Sequence, residues 1–101
     1  MRYLRLFQSA VDPSDVDEVR RLFNDDVKPV FDKIDACASM ELLINLESSA
    51  GGLVEGCALS RWRSREELES ALSSREVAEA LVRIRTMLRQ EPVTKTFEVL
   101  E

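Results

Sequence analysis

The sequence predicts an α+β domain in the order β-α-β-β-α-β, and three observations carry that expectation. Two long stretches repeat apolar residues at three- and four-residue steps, the spacing of a helix face. Shorter stretches before, between and after them alternate apolar and polar residues or are rich in strand formers. A Ser48-Ser49-Ala50-Gly51-Gly52 cluster separates two of the strand-like runs, as a hairpin turn would. With 101 residues, the chain has room for a single domain spanning residues 1–101.

The first strand is predicted over residues 3–7, Tyr3-Leu4-Arg5-Leu6-Phe7, and Asp12-Pro13-Ser14 breaks the pattern. Asp12 or Ser14 can cap a helix there, and Asp15, Asp17 and Glu18 suit the positive end of its dipole. Val16, Val19, Leu22, Phe23, Val27, Val30, Phe31 and Ile34 then form one apolar stripe. Pro29 interrupts it and removes a backbone donor, so one helix is expected, bent or restarted near Lys28.

Residues 39–47 read as a strand with Met40, Leu42, Ile44 and Leu46 on the buried side, and residues 53–62 as its antiparallel return. The turn between them should place Cys57 opposite residue 42 or 43. Ser64-Arg65-Glu66-Glu67 is a capping box that opens the second helix. A second box, Ser73-Ser74-Arg75-Glu76, predicts a kink or restart before Val77, Leu81, Ile84 and Leu88 continue the stripe. Glu91-Pro92 should end it, and residues 93–100 alternate as a last strand. Two right-handed β-α-β units sharing one antiparallel four-stranded sheet make a ferredoxin-like arrangement.

Composition excludes several kinds of chemistry. No histidine occurs in the sequence, which removes Ser-His-Asp and Cys-His catalysis and the commonest metal ligand. Two cysteines, Cys37 and Cys57, cannot complete a structural zinc site by themselves. Their separation makes two free thiols the expectation. Gly51-Gly52 fits no phosphate-binding fingerprint. The net charge of −5 argues against nucleic acid or anionic membranes as partners. No run approaches the roughly 18 apolar residues of a membrane span. A soluble cytoplasmic protein without metal or cofactor is expected.

Two helices can cover only one face of a four-stranded sheet. The other face cannot be wholly polar, because the first strand carries Leu4 and Leu6 on one side and Tyr3 and Phe7 on the other. The return strand similarly points Leu53, Cys57 and Leu59 one way and Val54, Ala58 and Trp62 the other. An exposed apolar surface of that kind marks an association site, so a homodimer joined sheet to sheet is expected.

Candidate site residues follow from the same alternation. Trp62, the single tryptophan, is either a core anchor whose indole donor finds a nearby acceptor or the aromatic wall of a pocket. Gly56, Ala58 and Ser60 share its side of the strand, and small side chains there can leave unfilled volume beneath the helices. Arg5 lies mid-strand and must be buried or snorkel. It would neutralise an anionic substrate or make a cross-strand or intersubunit ion pair. Arg75, Arg83, Arg85 and Arg89 lie among glutamates and read as a solvated, salt-bridged face. Asp25-Asp26 and Glu66-Glu67 are adjacent in helices and read as surface.

Taken with the element order, the Val27-Lys28-Pro29-Val30 break, the Ser60-Arg61-Trp62-Arg63-Ser64-Arg65-Glu66 junction and the Phe97-Glu98-Val99 strand resemble an antibiotic biosynthesis monooxygenase (ABM) domain over essentially the whole chain. That family is a branch of the dimeric α+β barrels. The resemblance implies two ferredoxin-like subunits joined through their sheets, each with a cavity between sheet and helices. The haem-degrading branch is not matched, since Phe7, Ala71 and Leu81 stand where it carries asparagine, tryptophan and histidine. The quinone-forming, cofactor-independent branch is matched at Trp62, while Ala58 and Leu68 replace its polar asparagine and tyrosine. The resemblance therefore implies a monooxygenase acting on a small hydrophobic aromatic or polyketide-like substrate. In that reading Trp62 holds the ring with Ser60 beside it, and Arg5, Tyr3 or Asn45 stabilises charge. The alternative is a non-catalytic barrel that binds a small molecule or serves as an auxiliary subunit.

Overall fold

The computed structural model describes residues 2–47 and 50–101. Strands β1 (Tyr3–Val11), β2 (Cys37–Ile44), β3 (Val54–Trp62) and β4 (Val93–Glu98) form one sheet in the order β2-β3-β1-β4. Every neighbouring pair is antiparallel. Helices α1 (Val16–Leu22) and α2 (Lys28–Asp32) connect β1 to β2; α3 (Arg65–Leu72) and α4 (Arg75–Arg85) connect β3 to β4. This is the ferredoxin-like α+β arrangement expected from the sequence.

β1 runs four residues further than its strand-forming side chains suggest. Gln8, Ser9 and Ala10 are poor strand formers, but their pairing with Cys57, Gly56 and Glu55 carries the strand on to Val11 opposite Val54. Tertiary pairing outweighs local preference here. Beyond it, the Asp12 carboxylate accepts from the Ser14 backbone N–H at 2.9 Å and turns the chain into the helical layer.

The first helix restarts at Lys28, as Pro29 requires. Residues Phe23–Val27 form a widened turn in which the Lys28 N–H donates to the Phe23 carbonyl, five residues back. Widening accommodates a residue that has no N–H and whose ring would crowd the carbonyl four before it. Phe23, Val27 and Phe31 are all buried beneath this layer.

In the second helical segment, Ser64 Oγ accepts from the Glu67 N–H at 3.3 Å to cap α3, and Ser74 Oγ accepts from the Val77 N–H at 3.2 Å to cap α4. The cap of the restart is therefore Ser74 rather than Ser73, whose hydroxyl instead donates to the Glu69 carbonyl. α4 ends at Arg85, before Leu88. There the Thr86 hydroxyl turns back to the Arg83 carbonyl at 2.6 Å, the local competition that disfavours continued helix. The following segment is tied to β1 by Arg89 N–H donating to the Ala10 carbonyl and by Ser9 Oγ donating to the Gln90 carbonyl.

β2 departs most from expectation. It spans Cys37–Ile44 instead of residues 39–47, and of its supposed buried side only Met40 is buried. Leu42 and Ile44 are 37% and 50% exposed and Leu46, past the strand, 92%. They share the Met40 face, but that end of the edge strand lies beyond the helices' full cover. A β-bulge between Cys37 and Ser39 sets which residues share that face: Cys37 opposes Trp62, Ser39 opposes Arg61, and Ala38 is the extra residue. The hairpin places Leu43 opposite Cys57, as expected. Gly51 and Gly52 supply its left-handed conformations, with φ of 76° and 73°; Ser48 and Ser49, expected in the same turn, lie outside the described residues.

The core lies between the helices and one face of the sheet, built from Leu22, Phe23, Val27, Phe31, Met40, Trp62, Leu68, Val77 and Ile84. By register, the opposite face carries Leu4, Leu6, Cys57, Leu59, Leu43, Val93 and Phe97. Leu43, Val93 and Phe97 are 42%, 51% and 45% exposed.

Candidate functional site: an apolar cavity under the helices

A cavity of about 950 Å³ opens between the sheet and the helical layer. Its floor is the helix-facing row of the sheet: Phe7 and Val11 from β1, Met40, Leu42 and Ile44 from β2, and Val54, Gly56, Ala58 and Ser60 from β3. Its roof is apolar too, with Val16, Val19, Phe23 and Val27 on one side and Val77, Leu81, Ile84 and Leu88 on the other. The volume exists because three successive helix-facing residues of β3 are small. Gly56 is held to its size by the backbone, since a Cβ there would stand 3.3 Å from the Leu43 carbonyl oxygen.

The charged groups of the lining are four cations and two carboxylates, Glu41 and Glu55. Arg5, Arg20, Lys28 and Arg85 reach the lining together with Ser9, Ser60, Asn24 and Thr94. Lys28 Nζ donates to the Met40 carbonyl at 3.0 Å and lies 3.8 Å from Asp32; Arg20 lies 3.6 Å from Asp17. Arg5 Nη1 donates to Thr96 Oγ1 on β4 at 2.9 Å. The Arg85 guanidinium sits over the Phe7 ring, 5.3 Å from its centroid, in cation–π geometry.

Of the residues singled out from sequence, Arg5 and Ser60 line this cavity. Trp62 does not. It is 1% exposed, meets Phe31 edge-on at 6.1 Å between ring centroids, and donates its indole N–H to Ser60 Oγ at 2.8 Å. The structure thus places it as a core anchor behind the cavity, with Ser60 standing between its indole and the open volume. Tyr3 is half-buried and packs against the core, away from the lining. Asn45 lies past the end of β2, exposed, where its side-chain oxygen accepts from the Glu47 N–H at 2.8 Å; this local turn holds it off the cavity.

Arg85 is the residue that sequence reasoning passed over. It was grouped with Arg75 and Arg83, which do form surface pairs with Glu79 and Asp26. The signal was its place in the stripe, since Leu81, Ile84, Arg85 and Leu88 follow the i, i+3, i+4, i+7 pattern of one helix face. Both cysteines are free thiols. Burial pushes each above its ordinary pKa, partly offset by backbone hydrogen bonds at Ser39 and Phe7. Among the described residues no group of three potential metal ligands gathers anywhere.

No protein-family model matches the chain, and no curated protein matches it. Solved structures do. A crystal structure of an antibiotic biosynthesis monooxygenase is similar over 100% of both chains, with a TM-score of 0.76 and 16% identity. The fold is that of the antibiotic biosynthesis monooxygenases. SnoaB, a cofactor-independent oxygenase from Streptomyces nogalater crystallised as a mutant, has a TM-score of 0.76 at 12% identity, covering 99% of this chain and 94% of its own. Rv0793 from Mycobacterium tuberculosis has a TM-score of 0.72 at 21% identity, covering 100% and 97%. At these identities the likeness is one of architecture, and the ABM fold accounts for where the cavity lies: between a four-stranded sheet and the helices on one of its faces. No described helix is long and apolar enough to cross a membrane.

Proposed function

We propose that this chain is a member of the antibiotic biosynthesis monooxygenase family and acts, without a cofactor, on a small hydrophobic aromatic or polyketide-like substrate in the cytoplasm. The observation that carries the reading is the cavity itself: about 950 Å³ with a predominantly apolar wall that also carries four cations and two carboxylates, the size and lining of a site for a multi-ring molecule.

In this chemistry the substrate supplies the electrons. Loss of a proton from an anthrone-type ring methylene leaves a carbanion delocalised as a phenolate. The anion reduces oxygen, a C–O bond forms, and protonation gives a hydroperoxide. Loss of water, which takes the remaining hydrogen of that carbon, leaves the carbonyl. One oxygen molecule yields one quinone oxygen and one water. The protein holds the ring against Phe7, Leu81 and Ile84, keeps bulk water from the anion, and lowers the cost of its charge through Arg5.

The functional unit in this proposal is a homodimer joined through the open sheet face. Leu4, Leu6, Leu59 and Phe97 share that face, and burying them against a second copy would remove apolar surface from water.

A second reading, a non-catalytic binding or auxiliary protein, is favoured by one observation. Ala58 and Leu68 stand where the quinone-forming relatives have a polar asparagine and tyrosine, and Leu68 is buried in the core at 1% exposure. Oxygen uptake with a panel of anthrones and dihydroquinones separates the two. The oxygenase reading expects uptake above the buffer blank, one oxygen per quinone, reduced by Arg5→Ala and reduced again when Ala58→Phe narrows the cavity beside Phe7. Uptake no faster than the blank across the panel removes it for those substrates and leaves the binding protein.

A further inference from the structure

We propose that the Phe7 end of the cavity is an anion subsite, where the guanidinium groups of Arg5 and Arg85 together receive one anionic oxygen group of a ligand whose apolar body fills the remaining volume. This rests on the cavity being a ligand site, as proposed above, and is independent of oxygen chemistry.

Arg5 and Phe7 are two residues apart on one face of β1, roughly 7 Å along the strand. Arg85 arrives from α4 on the roof and lies over the same Phe7 ring. Phe7 therefore has one lining cation over its ring and another two residues along its own strand. The contact with the Phe7 ring occupies no hydrogen-bond acceptor, so the N–H donors of Arg85 are left for an oxygen fork. The contact of Arg5 with Thr96 uses one of its five donors.

Charge partners elsewhere make these two distinctive. Arg20 and Lys28 have Asp17 and Asp32 beside them, and Arg21, Arg61, Arg63, Arg65, Arg75 and Arg83 each hold a carboxylate. Of the four cations in the cavity lining, Arg5 and Arg85 make no such pair among the described residues, in a chain with nineteen acidic and fourteen basic side chains. Glu41 and Glu55 are also in the lining, though by register they alternate onto the opposite face of the sheet, where Glu41 holds Arg61 at 2.5 Å. The ligand class that matches is an apolar or aromatic molecule bound as a carboxylate or phenolate.

Two fluorescent probes that differ in charge test this: 8-anilinonaphthalene-1-sulfonate, and N-phenyl-1-naphthylamine, the same rings without the sulfonate. The anionic probe should bind the intact protein at least about tenfold more tightly. Salt at about 0.5 M should weaken that probe alone. Arg5→Gln with Arg85→Gln should bring it to the level of the neutral one while leaving the neutral one unchanged, and Ala58→Phe, which narrows the cavity beside Phe7, should weaken both. Displacement of the anionic probe at neutral pH by 2-naphthoate alone assigns the subsite to carboxylates, and displacement by 2,4-dinitro-1-naphthol, which is ionised at that pH, as well assigns it to either oxygen. Equal affinity for the two probes, arginine variants that weaken both alike, an anionic probe indifferent to Ala58→Phe, or displacement by neither competitor overturns the subsite. If neither probe binds at all, the cavity is not a ligand site and the proposed function falls with it.

Discussion

The indole N–H of Trp62 donates to Ser60 Oγ at 2.8 Å, from one helix-facing position of β3 to the next. Both residues are buried, at 1% and 3% exposure, so each is the other's polar solution in an apolar place. Ser60→Ala is expected to strand the indole donor and cost roughly 1–3 kcal/mol. Trp62→Phe removes the donor together with ring volume and should cost about as much or more. Combined, the two changes should cost less than the sum of the singles, by about 0.5–3 kcal/mol. Urea denaturation of the four proteins measures this, and simple additivity would show that the hydrogen bond contributes nothing.

The open sheet face leads to a second expectation. Leu6 and Leu59 are register partners at its middle, where a charge would be most costly to enclose. Wild-type protein at micromolar concentration should sediment at twice the chain mass, and Leu6→Glu should sediment as a monomer with its helical circular dichroism retained. A wild-type protein sedimenting as a monomer contradicts the proposed dimer.

The thiols set a pH dependence. Burial raises both Cys37 and Cys57 above their unfolded values, so the folded chain holds these protons to higher pH than the unfolded chain does. Their contribution to stability is complete below the ordinary thiol range of about 8.5 and is lost as pH rises through the raised folded values. Thermal midpoints should therefore fall between about pH 8 and pH 10, and less steeply in Cys37→Ser with Cys57→Ser. Alkylation by iodoacetamide at pH 8 should be slower in the folded protein than after denaturation. An unchanged slope in the double variant would show that other groups set the alkaline limit.

Alternation and helical periodicity are enough to place the four strands and both helical segments in order, because one face of each is buried and burial writes a period into the chain. What they could not place was anything decided by a neighbour. Gln8 to Ala10 are strand through their pairing with β3, and Leu42 and Ile44 are partly exposed where they line the cavity instead of packing against side chains. The site shows the same division. Gly56, Ala58 and Ser60 announced free volume by their size alone. Trp62 drew attention because it is large, yet its size is what fits it to the core rather than to the lining. Arg85 was hidden in a charged surface segment, because its destination depends on Phe7, far away in the chain.

The extra residue at Ala38 determines the parity of the edge strand that follows it. Side chains of a strand alternate with a period of two, so loss or gain of one residue at the bulge would exchange its two sides. Glu41 and Leu43 would then turn toward the hollow and Leu42 and Ile44 toward the outer surface, placing a carboxylate where a greasy ligand would rest and redrawing the patch offered to a second subunit. A single-residue indel there would thus rewrite both recognition surfaces at once while leaving the strand itself in place.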